Sequence, residues 1–289
     1  MDKQLFSGVC TALVTPFLNG EVNYPLVERL LKHQMDAGIR QVVLAGTTGE
    51  SPTLSDKEKI TLFQRAKQYT GNDCMIIAGT GSNSTEHTIH LSLAAQESGA
   101  DALLVVAPYY NKGNADGLYK HYSLLANSVH IPIIIYNVPS RTGVDISVEL
   151  YSKLSHIPNI AGVKEASSDI TKITRILAAC PKSFSVWSGN DDQTVPVISL
   201  GGKGVISVLS NVMPYETIRM TEAALAGDFD TASALQRDLL PQIDALFAEV
   251  NPIPVKHAMH CIGFDCGPCR LPLGNLNKVN QAKIEELFR

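Results

Sequence analysis

Short apolar segments recur along the chain at intervals of about 28 residues, and after each one the apolar positions recur at helical spacing. The segments are rich in valine, isoleucine and alanine, as is typical of parallel strands covered on both faces. The pattern therefore predicts eight βα units. The predicted strands are Val9–Thr15, Gln41–Ala45, Met75–Gly79, Ala102–Val106, Ile133–Asn137, Ile160–Lys164, Phe184–Ser188 and Gly204–Ser207.

Helix start and stop signals between these segments support the alternation. Two helical patterns end before Gly38 and before Gly99, and glycine readily adopts the left-handed conformation that closes a helix. Ser55 and Glu58 have the spacing of a capping box. The two patterns run from Asn23 to Ala37 and from Ser84 to Ser98.

The number of βα units decides the predicted architecture. A chain of 289 residues could form two domains, but an α/β barrel of about 250 residues forms one. Eight units favour a closed (β/α)8 TIM barrel over an open sheet. We expect the barrel over residues 1–226 and a C-terminal helical extension, packed on the barrel, over residues 227–289. Helical patterns in the extension run from Asp228 to Val250 and from Asn277 to Phe288.

Composition narrows the class of protein. The net charge is −4 and the basic residues are scattered, which argues against binding to nucleic acid or to an anionic membrane. Neither a signal peptide nor an apolar run of about 18 residues is visible, so we expect a cytoplasmic protein. The six cysteines are dispersed, and we expect them to be free thiols. A small-molecule ligand is therefore the expected partner.

Lys164 is the strongest candidate for chemistry, because active sites of such barrels lie at the carboxyl ends of the strands. Tyr136 ends the preceding predicted strand, and adjacent strands lie about 5 Å apart. Burial disfavours the charged form of a lysine, and a neutral amine can attack a ketone. The alternative is a lysine that leaves the strand and pairs with an acid such as Glu165.

Two further segments follow predicted strands. Residues 46–51 combine two glycines with two threonines, so their hydroxyl and backbone N–H groups could hold a carboxylate, or the segment could be an ordinary turn. Tyr109 and Tyr110 could act in catalysis or contact a second subunit.

Three other patterns favour structure over chemistry. Residues 201–204 are glycine-rich but precede the last predicted strand, which indicates a turn at the opposite end of the barrel from any phosphate site. Cys266 and Cys269 have a metal or redox spacing, but they lack a second ligand pair, and we expect them to lie away from the site. Cys261 and the helically spaced His257 and His260 are more typical of helix packing. We therefore expect no metal site.

Taken together, several motifs resemble the 4-hydroxy-tetrahydrodipicolinate synthase (dihydrodipicolinate synthase) family in order and over nearly the whole chain. The motifs are Gly46–Glu50, Tyr109–Asn111, Tyr136–Gly143, Gly162–Ala166, Ser188–Asp192, Gly204–Ser207 and Asn251–Lys256.

This resemblance implies a carbon–oxygen lyase of the class I aldolase type that needs no cofactor. Its substrates would be pyruvate and L-aspartate 4-semialdehyde, condensed on the diaminopimelate route to lysine. The resemblance also implies a homo-oligomer, usually a tetramer built from two tight dimers.

The resemblance implies catalytic roles for four residues. Lys164 would form the imine with pyruvate, which turns the ketone into an electron sink. Tyr136 would relay protons with Thr47 as its partner, because an unperturbed phenol is a poor base at neutral pH. Tyr110 would reach in from the neighbouring subunit to complete the hydroxyl relay.

Four more residues would bind the substrates. Thr48 would hold the pyruvate carboxylate, and the backbone groups of Gly189 and Ile206 would shape the pyruvate site. Arg141 would hold the carboxylate of the semialdehyde with a planar fork that lysine cannot reproduce.

Two alternatives remain. N-acetylneuraminate lyase and the sugar-acid aldolases share the threonine pair, the tyrosine and the lysine, but Arg141 within Ser140–Gly143 matches the synthase pattern. A non-catalytic ligand-binding barrel would not need Thr47, Tyr136 and Lys164 together.

Lysine-inhibited members of the family have a feedback site at the tight-dimer interface. Those members carry histidines where Asp56 and Lys59 stand here, and a glutamate where His87 stands. The chain lacks that acidic partner for the effector's ammonium group, and Lys59 adds a like charge. We therefore predict weak or absent inhibition by L-lysine. The corresponding positions are Ser51, Pro52, Asp56, Lys59, Asn83, His87 and Tyr109.

Overall fold

The computed structural model describes residues 5–288. Eight of its strands are parallel and close into a barrel in chain order, which confirms the predicted TIM barrel. The other two strands are short and form a hairpin that follows the first strand of the barrel. The strands are β1 (Gly8–Ala12), β2 (Phe17–Leu18), β3 (Glu21–Val22), β4 (Gln41–Leu44), β5 (Met75–Gly79), β6 (Ala102–Val106), β7 (Ile133–Asn137), β8 (Ile160–Glu165), β9 (Ser185–Ser188) and β10 (Gly204–Ser207).

Helices surround the barrel and form the C-terminal region. Within residues 5–288, no helix combines the length and the apolar character needed to cross a membrane. The helices are α1 (Tyr24–Asp36), α2 (Asp56–Thr70), α3 (Thr85–Glu97), α4 (Ala115–Ser128), α5 (Pro139–Thr142), α6 (Val148–Leu154), α7 (Ile170–Ala179), α8 (Thr194–Ser199), α9 (Pro214–Leu225), α10 (Phe229–Asp238), α11 (Leu240–Leu246), α12 (Ile253–Cys261) and α13 (Lys278–Phe288).

The predicted strands agree with the observed ones to within one residue, except for the first. β1 ends at Ala12 instead of Thr15. The backbone N–H of Leu13 still donates to Val43, but that of Val14 donates to the side chain of Asn211. The chain therefore leaves the barrel ladder three residues earlier than its apolar character predicts.

The hairpin of β2 and β3 was not predicted. Its two-residue turn is Asn19-Gly20, and both residues have positive φ, at 53° and 84°. A type I′ turn requires this conformation, and Asn-Gly is the sequence that favours it. The dipeptide was therefore a signal that could have revealed the hairpin.

Helix signals are confirmed at the first three helices. The side chain of Asn23 caps α1, and Ser55 and Glu58 form the predicted capping box of α2. The pattern predicted over residues 228–250 is interrupted, because Pro241 has no N–H to continue the preceding helix and lies in the first turn of a new helix, α11. Asp228 caps the preceding helix, α10.

Side chains alternate between two apolar layers along each strand. On β4, Val42 and Leu44 face the layer between strands and helices, whereas Val43 faces the barrel interior. The interior layer includes Trp187, whose ring stacks on Phe6 with centroids 4.6 Å apart. Phe6 precedes β1, so this stack fills the amino-terminal end of the barrel.

Arg270, which lies between α12 and α13, ties the C-terminal region to the barrel. Its guanidinium donates to the carbonyl oxygens of Thr53 and Gly20 and to the carboxylate of Glu58. It also lies over the ring of Phe17 at 4.3 Å. One side chain thus links the C-terminal region to the hairpin and to α2.

Replacing Glu58 by glutamine should lower the free energy of unfolding at neutral pH, and the loss should shrink in acid. Hydrogen bonds from Arg270 lower the pKa of Glu58 from 4.5 to about 2. A carboxyl group with a lowered folded-state pKa stabilises the fold above its unfolded pKa, and this contribution disappears as the pH falls from about 4.5 towards 2. We expect a loss of roughly 1–2 kcal/mol at neutral pH, measured by urea unfolding.

The matched control is Asp116→Asn, which removes a pair with Lys120 whose side chains are both about 70% exposed. This variant should change the urea midpoint little at any pH. A loss in Glu58→Gln that stayed constant from neutral pH down to the acid limb would contradict the assigned cause.

Candidate active site

Tyr136 and Lys164 lie side by side in the barrel, as the sequence predicts. β7 and β8 pair in parallel, and these two residues are partners in the register. The Lys164 Nζ atom lies 4.4 Å from the centroid of the Tyr136 ring. Both side chains are about 95% buried. The amine is therefore removed from bulk water and lies against the face of an aromatic ring.

Glu165 does not pair with Lys164, so the alternative interpretation of a lysine bound to its neighbouring acid is wrong. Successive strand residues point to opposite faces, and Glu165 points towards the helices. Its carboxylate accepts hydrogen bonds from Asn137 and Tyr151 and lies 3.6 Å from the ammonium of Lys172. Within residues 5–288, no carboxylate lies within ion-pair distance of Lys164.

Gly189 lies next to Lys164, and Ile206 belongs to the interior layer that contains Tyr136. A Cβ atom on Gly189 would lie 3.2 Å from Lys164 Cε and 2.6 Å from Ala166 Cβ, so only glycine fits beside the lysine stem. Ile206 is fully buried in the same interior layer as Tyr136. The proposed backbone contacts of both residues with pyruvate stay predictions.

A loop of residues 45–50, here called the threonine loop, connects β4 to the helical segment before α2. A Cβ atom on Gly79 would collide with the carbonyl oxygen of Ala45, so the loop lies directly on β5. Thr48 is buried, and its hydroxyl oxygen accepts a hydrogen bond from Asn251 at 3.0 Å. No hydrogen bond joins Thr47 to Tyr136 in the described structure, so their predicted relay stays a prediction.

A cavity of about 500 Å³ opens above these residues. Thr47, Tyr136 and Arg141 all line it. Arg141 belongs to α5, directly after β7, and its guanidinium donates to the carbonyl oxygen of Asn251 at 3.1 Å. A nucleophilic amine, a phenol, a hydroxyl and a guanidinium are thus gathered at the carboxyl ends of the strands.

The positions predicted to bind an effector line this same cavity. The ring of His87 makes a 2.9 Å contact with the carboxylate of Asp56. Burial lowers the pKa of Lys59, and the charge of Asp56 opposes this shift. These predicted effector positions in the cavity lining are Ser51, Pro52, Asp56, Lys59, Asn83, His87 and Tyr109.

The model of the dihydrodipicolinate synthetase family matches residues 5–289. The chain belongs to this family. The 4-hydroxy-tetrahydrodipicolinate synthase of Kosmotoga olearia is 46% identical over 288 residues, covering 99% of this chain and 98% of the relative. The crystal structure of dihydrodipicolinate synthase from Aquifex aeolicus has a TM-score of 0.96 at 44% identity and covers 98% of this chain and 97% of that chain. The structure of DHDPS from Cyanidioschyzon merolae with lysine bound has a TM-score of 0.95 at 39% identity, covering 98% and 97%.

Tyr110 is a predicted catalytic residue that the single chain of this family member leaves exposed, outside the cavity lining. It is 88% exposed and has a positive φ of 70°, whereas its neighbour Tyr109 lines the cavity. The position is compatible with a role in a neighbouring subunit, which stays a prediction.

The cysteine pair lies closer to the site than we expected. The Cys266 carbonyl oxygen accepts a hydrogen bond from the Phe17 N–H. Cys269 lies beside Glu50 of the threonine loop, and burial, assisted by that carboxylate, raises the pKa of its thiol to about 12. The thiol is therefore protonated at neutral pH. Among residues 5–288, no group of three or more His, Cys, Asp or Glu side chains is placed to hold a metal ion.

Three residues at this site were missed as functional candidates, namely Glu50, Asn251 and Lys256. Glu50 and Lys256 form an ion pair at 2.9 Å, and both side chains are at least 97% buried. All three residues lie inside motifs that carry the family resemblance. An acid in one such motif and a lysine in another were the available signal.

Proposed function

We propose that the chain condenses pyruvate with L-aspartate 4-semialdehyde, the reaction of a 4-hydroxy-tetrahydrodipicolinate synthase. The observation that carries this function is the buried Lys164 amine against the ring of Tyr136, a residue that lines a cavity together with Arg141. Full-length relatives that carry this enzyme name support it. The reaction belongs to the diaminopimelate route to lysine.

The lysine amine begins the reaction by attacking the ketone carbon of pyruvate. Loss of water gives an imine, and removal of a methyl proton converts the imine into an enamine. The enamine carbon attacks the aldehyde of the second substrate and forms the new carbon–carbon bond. The amino group of that substrate then displaces Lys164 and closes the ring. Every step uses protons and electrons that the two substrates and the side chains supply.

Tyr136 is the proposed proton carrier for these steps. Its ring lies 4.4 Å from the Lys164 amine, and this proximity supports a role for the phenol in proton transfer. Thr47, on the same cavity wall, is the proposed partner of the phenol, and Tyr110 of a second subunit is proposed to complete the relay. Thr48 is proposed to hold the carboxylate of pyruvate, with the backbone groups of Gly189 and Ile206 shaping its seat.

Arg141 is the proposed ligand of the second substrate's carboxylate. A guanidinium presents two parallel N–H donors that match the two oxygens of a carboxylate. Arg141 lies on α5 and lines the cavity that Tyr136 also lines. A charged fork at this position favours an amino-acid aldehyde over the polyol chain that a sugar-acid aldolase binds.

The exposure of Tyr110 supports an assembly in which subunits complete each other's sites. We expect a homo-oligomer, namely a tetramer built from two tight dimers, in the cytoplasm. Tyrosine buries a large apolar surface and keeps a hydroxyl for hydrogen bonding, so it suits an interface that also reaches a site.

The imine can be trapped directly. Incubation with pyruvate followed by borohydride reduction should add one pyruvyl group to each chain, because reduction makes the lysine adduct permanent. Intact-mass analysis should show this adduct on the wild type and none on Lys164→Ala.

Lys59→Met is the matched control, because Lys59 is a buried amine that lines the cavity. This variant should keep the adduct, and peptide mapping should place the adduct on Lys164. A folded wild type that acquired no adduct would eliminate the imine mechanism and favour the non-catalytic barrel.

Mixing two inactive variants should restore activity if Tyr110 acts across an interface. Tyr110→Phe and Lys164→Ala should each have low activity, but a mixed dimer contains one site with an intact lysine and an intact tyrosine. Co-expressed chains that pair at random should therefore recover roughly a quarter of wild-type activity. If Tyr110 served its own subunit, the mixture would stay as inactive as its components.

L-lysine should inhibit the enzyme weakly or not at all. A lysine effector would bring its ammonium group towards Lys59, and like charges repel in a partly dry cavity. Initial rates measured across low-millimolar L-lysine should stay within about twofold of the uninhibited rate. Lys59→Met should become more sensitive than the wild type. Complete loss of wild-type activity in low-millimolar L-lysine would contradict this expectation.

A further inference from the structure

The threonine loop begins and ends in a conformation that side chains other than glycine rarely adopt. Ala45 has a φ of 52°, and Glu50 has φ and ψ of 56° and 38°. Left-handed conformations at such residues cost free energy and persist only where surrounding contacts hold them. The loop that carries Thr47 and Thr48 therefore depends on external contacts for its shape.

The strongest of these contacts comes from the C-terminal region. Lys256 of α12 donates to the carboxylate of Glu50 at 2.9 Å and to the carbonyl oxygens of Thr15 and Pro268 at 3.2 and 3.1 Å. These three hydrogen bonds use all the donors of an ammonium group. The other carboxylate oxygen of Glu50 accepts the backbone N–H of Arg270 at 2.8 Å.

The same stretch of chain also touches the substrate-binding side chains. Asn251, five residues before Lys256, donates from its side chain to Thr48 and accepts from Arg141 at its carbonyl oxygen. Thus the C-terminal region contacts both the residue proposed to hold pyruvate and the residue proposed to hold the second substrate.

We propose that Lys256 is a positioning residue for pyruvate. Its ammonium group holds the buried Glu50 carboxylate, and this ion pair keeps the strained threonine loop in the shape that aims Thr47 and Thr48 at Lys164. Lys256 is 4% exposed and its ammonium group is bonded to Glu50, Thr15 and Pro268, so it acts through the loop and not by contact with substrate. The proposal rests on the imine function proposed above.

The sign of the charges makes the proposal specific. Removing the lysine leaves a buried carboxylate without its partner, and such a group must gain a proton or move towards water. Either change releases the end of the loop. A double variant that removes both charges leaves no buried carboxylate without a partner. A glutamine at position 50 can still accept the N–H of Arg270.

The test measures how much pyruvate is needed for half-maximal borohydride trapping on Lys164. We expect Lys256→Met to raise this concentration by about tenfold or more, while trapping at saturating pyruvate changes by less than about threefold. Glu50→Gln should shift it in the same direction, and it carries the test if Lys256→Met does not fold. The double variant Glu50→Gln/Lys256→Met should be closer to the wild type than Lys256→Met is.

Ile284→Ala is the matched control for lost stability. Ile284 is fully buried on α13, a helix that packs on α11 and α12. It should lower the thermal midpoint without changing the pyruvate dependence. Lys256→Met and Glu50→Gln variants that lost stability but kept the wild-type pyruvate dependence would overturn the positioning role. A wild type without any adduct would instead refute the imine function itself.

Discussion

Parallel pairing of β7 with β8 is the constraint on which the site depends. The register places Lys164 beside Tyr136 on the inner face of the barrel, and strand alternation places Glu165 on the outer face. A slip of one residue would exchange the lysine and the acid. Asn137 and Tyr151 hydrogen-bond the Glu165 carboxylate and so oppose such a slip. The network outside the barrel thereby fixes the orientation of the amine inside it.

The buried lysines differ in whether they have an acidic partner. Lys172 and Lys256 lie within 4 Å of buried carboxylates, on opposite sides of the site. Each ion pair neutralises the charge of a buried ammonium group, since a buried ion without a partner is costly. Lys164 has no such partner within residues 5–288, so its amine remains available for bond formation. The absence of a carboxylate partner therefore distinguishes Lys164 from Lys172 and Lys256.

Sequence patterns predict what is local or repeats along the chain. The recurrence of apolar segments predicts eight strands and also the pairing of Tyr136 with Lys164. Contacts between distant segments have no such signal. Glu50 and Lys256 are 206 positions apart, and each alone resembles an ordinary charged residue in a loop or on a helix. The early end of β1 likewise depends on Asn211, which accepts a hydrogen bond from Val14 and is 197 positions away along the chain.

The stack of Phe6 on Trp187 fills the amino-terminal end of the barrel interior. Trp187 is the register partner of Lys164 on β9, so the stacked rings lie beside the lysine in the barrel interior. The cavity that Tyr136 and Arg141 line lies at the carboxyl ends of the strands. A substrate bound to Lys164 would therefore lie deeper in the barrel than a substrate held by Arg141. The shape of the barrel favours an order in which the substrate that binds Lys164 enters first.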